Sequence, residues 1–247
     1  MDDFASSTSV DTINWEYHFG DGTDYTGVKG WGNNELQCYS NNTDNINIIN
    51  NALVLTAKRG GICFNPVSKN IFDADITSGK IISRQSFMYG ENPIMVTARI
   101  QVPMSKGSFP AFWLIPMRGY GSGTGTHGQW CLSGEIDVME HVNEEKKVQS
   151  TLIYGYPNQD CQFHRGDIKL DNPSEWHIYT LFWSKKEIKT FVDGNLIYSK
   201  NIEGTPLDNP MHIVLNLAVG GDWAGSDDPN LPFSMSVDYV MVHDILL

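Results

Sequence analysis

Positive charge is scarce in this chain of 247 residues: 17 lysines and arginines stand against 29 aspartates and glutamates, a formal balance of −12. The acids are scattered along the chain, and no basic patch is evident. Binding a phosphate backbone or an anionic membrane needs such a patch, so nucleic-acid and membrane partners are disfavoured and a neutral substrate is expected. An apolar run of about eighteen residues, the length of a membrane-spanning helix, is also missing. The amino terminus, MDDFASSTSV, has neither the basic flank nor the apolar core of a secretory leader. The protein is then either cytosolic or secreted with its leader already removed. The four cysteines (Cys38, Cys63, Cys131, Cys161) form no C-x-x-C pair, which weakens a zinc reading. Two disulfides and four free thiols both stay open, and the sequon Asn41-Asn42-Thr43 leans toward secretion. No segment reads as a helix longer than two turns.

What the chain does have is strands. Runs such as INIINNALVLTAK, GKIIS, PIMVTARIQV, FPAFWLI, EIDVMEHV, VQSTLIYGY, WHIYTLFW, EIKTFVDGNLIYS, MHIVLNLAV and SMSVDYVMVHD are rich in β-branched and aromatic residues. Gly, Asn, Asp and Pro clusters separate them. Asp193-Gly194 is a strong two-residue hairpin signal. With 40% apolar residues, the chain suits one large core, so residues 1–247 are expected to form a single all-β domain, a sandwich or barrel. Two stretches read as long loops, Arg118 to Trp130 and GYPNQDCQFHRGD. Placed at the ends of adjacent strands, they would border a cleft.

The stretch GEIDVMEH carries the chemistry. Glu135 and Asp137 lie two apart and share a strand face, but Glu140 is an odd number of steps from both and would face the other way. A β-bulge at Val138-Met139 would restore Glu140 to their side. Carboxylates in so apolar a strand are costly unless charge is needed there. Two glutamates brought to about 5–5.5 Å would suit a retaining glycosidase, one anionic and one protonated. Asp137 between them would raise the pKa of the less stabilised carboxyl, and the cluster would titrate as a unit. A calcium site fits less well, because calcium is wrapped by a loop.

GEIDVMEHV resembles the signature of glycoside hydrolase family 16, in the bulged form of its laminarinases, the endo-β-1,3-glucanases. WGNNELQCYS, ALVLTAKR, TSGKI, GSFPAFWLIP, FVDGNLIY, LNLAVGGDWAG and VDYVMVHD match in order, so the resemblance covers nearly the whole chain. It implies a β-jelly-roll sandwich of two curved antiparallel sheets, of the lectin and glucanase type, with a polysaccharide cleft on the concave face. Carried over by position, Glu135 matches the nucleophile, Glu140 the acid/base and Asp137 the residue assisting between them. No cofactor is implied for the chemistry, and the partner implied is a β-glucan, handled by a monomer.

Substrate contacts implied by the same matching are Trp113, Trp130, Trp223, Asn34 and Asn216, since sugar rings stack on aromatics and their hydroxyls need polar partners. Three positions depart from the family pattern. Lys80 stands where Arg is usual, leaving Arg84 as a substitute contact; Ile153 replaces a common His; and Asp222 replaces Asn. Some relatives hold a structural calcium ion on the convex face, at positions matched by Asp3 and Asp238. The loops suggest Cys131 with Cys161 and Cys38 with Cys63, although four cysteines allow three pairings. Rival readings are an enzyme for agarose, carrageenan or xyloglucan, a transglycosylase, or a β-glucan-binding protein without turnover.

Overall fold

Alternation of apolar and polar residues makes each strand two-faced, and two sheets bury their apolar faces against each other. Along Met211–Val219, for example, Met211, Ile213, Leu215, Leu217 and Val219 enter the core while His212 and Asn216 take the opposite face. The computed structural model describes residues 2–5, 8–116, 130–225 and 229–246. The loop expected at Arg118 to Trp130 lies outside the described residues except for Trp130 itself.

Among the described residues, one sheet has seven strands in the order Trp15–Tyr17, Lys80–Phe87, Met211–Val219, Ser108–Ile115, Glu135–Glu140, Lys147–Tyr154 and Gln162–Lys169, each antiparallel to its neighbours. The other has nine strands. Eight follow the order Asn195–Asn201, Glu187–Val192, His177–Trp183, Ile94–Gln101, Phe233–Asp244, Ala52–Arg59, Ile76–Ser78 and Cys38–Tyr39, and Ile46–Ile49 also pairs with Ala52–Arg59. Cys38–Tyr39 and Ile76–Ser78 run parallel; the remaining pairs are antiparallel. The core between the sheets is filled by Trp15, Trp183, Tyr179, Phe112 and a continuous set of Ile, Leu and Val. This is the all-β jelly-roll sandwich expected from the sequence.

Local rules set the hairpins. Asp193 and Gly194 both adopt positive φ, 49° and 78°, as the expected turn requires. Asn50 and Asn51 do the same, at 52° and 62°, and split the run INIINNALVLTAK into two strands.

The stretch expected to be a second long loop is, from Gln162 to Lys169, an edge strand. Gly166 within it serves a close approach: a Cβ there would lie 2.6 Å from the Ile197 carbonyl. Polar residues at its other positions hide the alternation from a composition reading.

Both disulfides join as expected, Cys38 to Cys63 and Cys131 to Cys161. The first ties Cys38–Tyr39 to the hairpin Ile62–Asn65 and Asn70–Asp73 across a separation of 25 residues. Opening a loop of that size costs about 3 kcal/mol in the chain-entropy picture. Replacing Cys38→Ala and Cys63→Ala together is therefore expected to lower the melting temperature by about 6–12 °C in calorimetry. A change below about 2 °C would show that the bridge adds nothing to the fold.

Candidate active site

Strict alternation would turn Glu140 away from Glu135 and Asp137. The strand pairing prevents this. Asp137 and Glu140 oppose Thr151 and Gln149, so three steps along the acidic strand match two along its neighbour. On the other side Trp113 opposes Asp137 and Phe112 opposes Met139, which skips Val138. The extra residue is a β-bulge at Val138-Met139, the position the sequence suggested. Val138 and Met139 are consecutive yet both wholly buried in the core beside Ile136. Ser150 Oγ donates to the Asp137 carbonyl at 2.6 Å, within the irregular pairing.

The register draws rows across the open face of the seven-stranded sheet. One row contains Phe163, Ile153 and Glu135; the next contains Arg165, Thr151, Asp137 and Trp113; the third contains Asp167, Gln149, Glu140, Ala111, Asn216 and Lys80. The three acids thus stand together with cations on both sides. Asp137 is buried, while Glu135 and Glu140 keep partial access to solvent.

Burial dominates their titration. It pushes the Glu135 carboxyl up to about 7, against an indole N–H donated by Trp130 at 2.7 Å, a hydrogen bond with Asp137 and the Lys80 charge. Burial also pushes Glu140 up to about 7, opposed by the Thr151 hydroxyl at 3.0 Å and by Arg165, and reinforced by the Glu135 charge. Asp137 is held well above the usual carboxylate range, first by burial and then by the charges of both glutamates. Its bond to Glu135 therefore carries the Asp137 proton. The sequence reading placed mutual repulsion first; desolvation is the larger cause.

Lys80, the departure from the family's Arg, is buried with its ammonium 4.2 Å from the Trp31 ring centroid, 5.1 Å from Trp113 and 5.6 Å from Tyr39. Burial pulls it down to about 8, while Glu35 and Glu135 act to keep it charged. Glu35 is itself buried and raised by desolvation, and it accepts hydrogen bonds from Asn33 and Gln37. Arg84, the expected substitute, sits elsewhere: it donates to the Thr12 carbonyl and pairs with Glu16 at 3.3 Å.

The other contact candidates fall into two groups. Trp113 donates its indole N–H to Asn216 at 2.6 Å, and Asn216 donates to the Tyr39 hydroxyl, so these two form one network beside the acids. Trp130 is 47% exposed and touches Glu135 directly. Asn34 donates to Asp222 at 2.9 Å, and the adjacent Trp223, in the short helix Gly221–Ala224, packs edge-on against Phe109. Sequence reasoning did not pick out Thr151, Arg165 or Glu35. Parity with Ile153 could have found Thr151, whereas Arg165 was hidden by reading its strand as a loop.

Asp3 and Asp238, the candidate calcium positions, both have partners within the protein. Asp238 is paired with Arg99 at 2.7 Å, and Asp3 accepts the Ala5 backbone N–H. No group of three or more acidic, histidine or cysteine side chains able to hold a metal occurs among the described residues.

The Thr151 hydroxyl stabilises the charged form of Glu140, so its loss raises that group's proton affinity further. In Thr151→Val the alkaline limb of the pH profile of kcat/KM is expected to move to higher pH by about one unit. An unmoved or lowered limb would show that Glu140 does not set it.

Comparison with known proteins identifies the family. The family model for glycosyl hydrolases family 16 matches residues 33–241. The glucan endo-1,3-beta-glucosidase A1 of Niallia circulans is 32% identical over 98% of this chain, which spans only 37% of that protein. The beta-glucanase of Rhodothermus marinus is 30% identical over 98% of this chain and 83% of its own length. Among solved structures, the endo-beta-1,3-glucanase of Pyrococcus furiosus superposes with a TM-score of 0.82 at 30% identity, covering 99% of this chain and 93% of that one. An acidic row on the open face of a jelly-roll sandwich, and a family match over most of its length, place the chain in glycosyl hydrolase family 16.

Proposed function

We propose that the protein is a retaining endo-glycosidase that hydrolyses β-1,3-linked glucans, mixed β-1,3/1,4 chains included. The observation that carries this reading is the bulge that brings Glu135, Asp137 and Glu140 to one face. The names of the similar proteins above support the substrate class.

In the first step Glu140, held protonated by its buried setting, gives its proton to the glycosidic oxygen. The C1–O bond breaks, the leaving chain departs as an alcohol, and a Glu135 oxygen bonds to C1. Hydrogen bonds from Trp130 and Asp137 favour the anionic form of Glu135 that attacks. In the second step Glu140, now anionic, takes a proton from water as the water oxygen attacks C1 and frees Glu135. The proton inventory closes, and all three acids come from one strand of one chain. No metal enters any step.

An oxidising compartment suits the chain, since both cysteine pairs are bridged. Secretion is proposed on that ground. The neutral substrate fits an open face where acids outnumber cations.

The test has two arms. The chain is expected to release reducing ends from laminarin and not from a β-1,4-glucan alone. With Glu135→Ala, activity should fall by at least about a thousandfold and return with azide as the α-glycosyl azide. Binding of laminarin with no release of reducing ends would leave a binding protein, and a β-azide rescued only by removal of Glu140 would be expected of its acid/base role.

A further inference from the structure

On the edge strand Gln162–Lys169, Phe163 has no part in the reaction as described and Arg165 acts only through its charge, yet the register aims both at the site. Phe163 lies opposite Ile153, which lies opposite Glu135, so Phe163 is two strands, or about 10 Å, from the candidate nucleophile in the same row. That is the span of roughly two sugar units. Arg165 occupies the next row, beyond Thr151. Phe163 is 47% exposed although it stands on the sheet face that carries the acids, and the Arg165 guanidinium lies 5.4 Å from its ring centroid. Between Phe163 and Glu135 the floor is apolar, because Ile153 is where a histidine is usual in the family.

The same disulfide fixes both exposed aromatics on this side. Cys131 follows Trp130, and Cys161 precedes Phe163 by two residues; their bridge ties the approach to the acidic strand to the start of the edge strand. Trp130 and Phe163 are each 47% exposed. A bare aromatic on a rigid edge, beside a cation, has the composition of a carbohydrate platform: a ring for C–H faces and a donor for hydroxyls.

Glu140 shows which end of the substrate would lie there. The acid must sit against the leaving oxygen, and its carboxyl is bonded to Thr151 on the next strand toward this edge. The leaving chain therefore extends over Ile153 and Thr151 toward Phe163 and Arg165. The opposite side, with Lys80, Trp31, Trp113 and Asn216, is left for the sugar that becomes bonded to Glu135.

We propose that Phe163, steadied by Arg165 and by the Cys131–Cys161 bridge, is the stacking platform of an acceptor subsite that binds a neutral glucosyl unit of the leaving or incoming chain. The proposal rests on the endo-glucanase reading above and adds a specificity determinant to it. A platform there favours long chains, and it also holds a sugar hydroxyl where water would otherwise attack. The chain should then transfer to sugar acceptors as well as hydrolyse. In that transfer the acceptor oxygen bonds to C1, Glu140 takes its proton, and the ester to Glu135 breaks.

The experiment separates the two half-reactions. β-Laminaribiosyl fluoride serves as donor, since its leaving group is a single atom and needs no platform: the C1–F bond breaks, fluoride departs and Glu135 is glycosylated. Laminaribiose serves as acceptor, and fluoride release and tetrasaccharide formation are followed together. In Phe163→Ala, fluoride release without acceptor should stay within twofold of the wild type, while the acceptor KM rises about three- to tenfold. Phe163→Tyr, which keeps the ring, should return the acceptor KM to near the wild-type value. An unchanged acceptor KM in Phe163→Ala, or equal losses in both half-reactions, overturns the subsite. A wild-type protein that releases neither fluoride nor reducing ends from laminarin overturns the glucanase reading, and the subsite with it.

Discussion

One inserted residue decides whether this sheet has a functional face at all. Without the bulge at Val138-Met139, the alternation of the strand would send Glu140 into a core made of Ile136, Phe112 and their neighbours. An ionisable group there would lack partners and cost several kcal/mol. With the bulge, two consecutive apolar side chains are buried together and the third acid returns to the open side. The gain from burying Val138 and Met139 and the gathering of the carboxyls are thus one event. Everything else about the site, from the Thr151 bond to the Trp130 bond, presupposes that placement.

The site is built against the stability of the fold. Glu135 and Glu140 bind protons more tightly in the folded chain than in the unfolded one, with values near 7 against 4.5. Between those values the unfolded state releases protons that the folded state retains, so stability contributed by these groups is full below about 4.5 and is lost as pH rises through about 7. At neutral pH the same strain keeps a proton on the cluster, as an acid catalyst requires. Lys80 and Arg165 limit the cost from opposite sides. Lys80 acts on Glu135 and Arg165 on Asp137 and Glu140, which leaves the two glutamates in different fields despite similar burial.

Much of this was legible in the sequence because it follows local rules. Period-two patterning gave the strands, Asp193-Gly194 gave a hairpin, and the odd offset of Glu140 gave the bulge and its position. The losses have equally local causes. Asn50-Asn51 was a turn inside an apolar run, and GYPNQDCQFHRGD read as a loop where a strand begins at Gln162 and passes close to Ile197 at Gly166. That second misreading hid Arg165 and Phe163, since a loop residue has no predictable face. Arg84 was expected to replace the missing family arginine, but on that side of the acids the cation is Lys80 itself, drawn under three aromatic rings. Asp238 pairs with Arg99, which is distant from it in sequence. Pairings of that kind depend on register between strands and cannot be read from either segment alone.

The central claim is that Glu135 is the group bonded to the sugar and Glu140 the group that moves the proton. A 2-deoxy-2-fluoro β-laminaribiosyl fluoride traps the intermediate of such a reaction, because the fluorine at C2 slows both steps while the reactive fluoride leaving group speeds only the first. Mass spectrometry of the digested protein should then find one added disaccharide, on the peptide carrying Glu135 and on that residue. A label on Glu140, or full hydrolysis of laminarin with no label and with inverted product, would contradict the account.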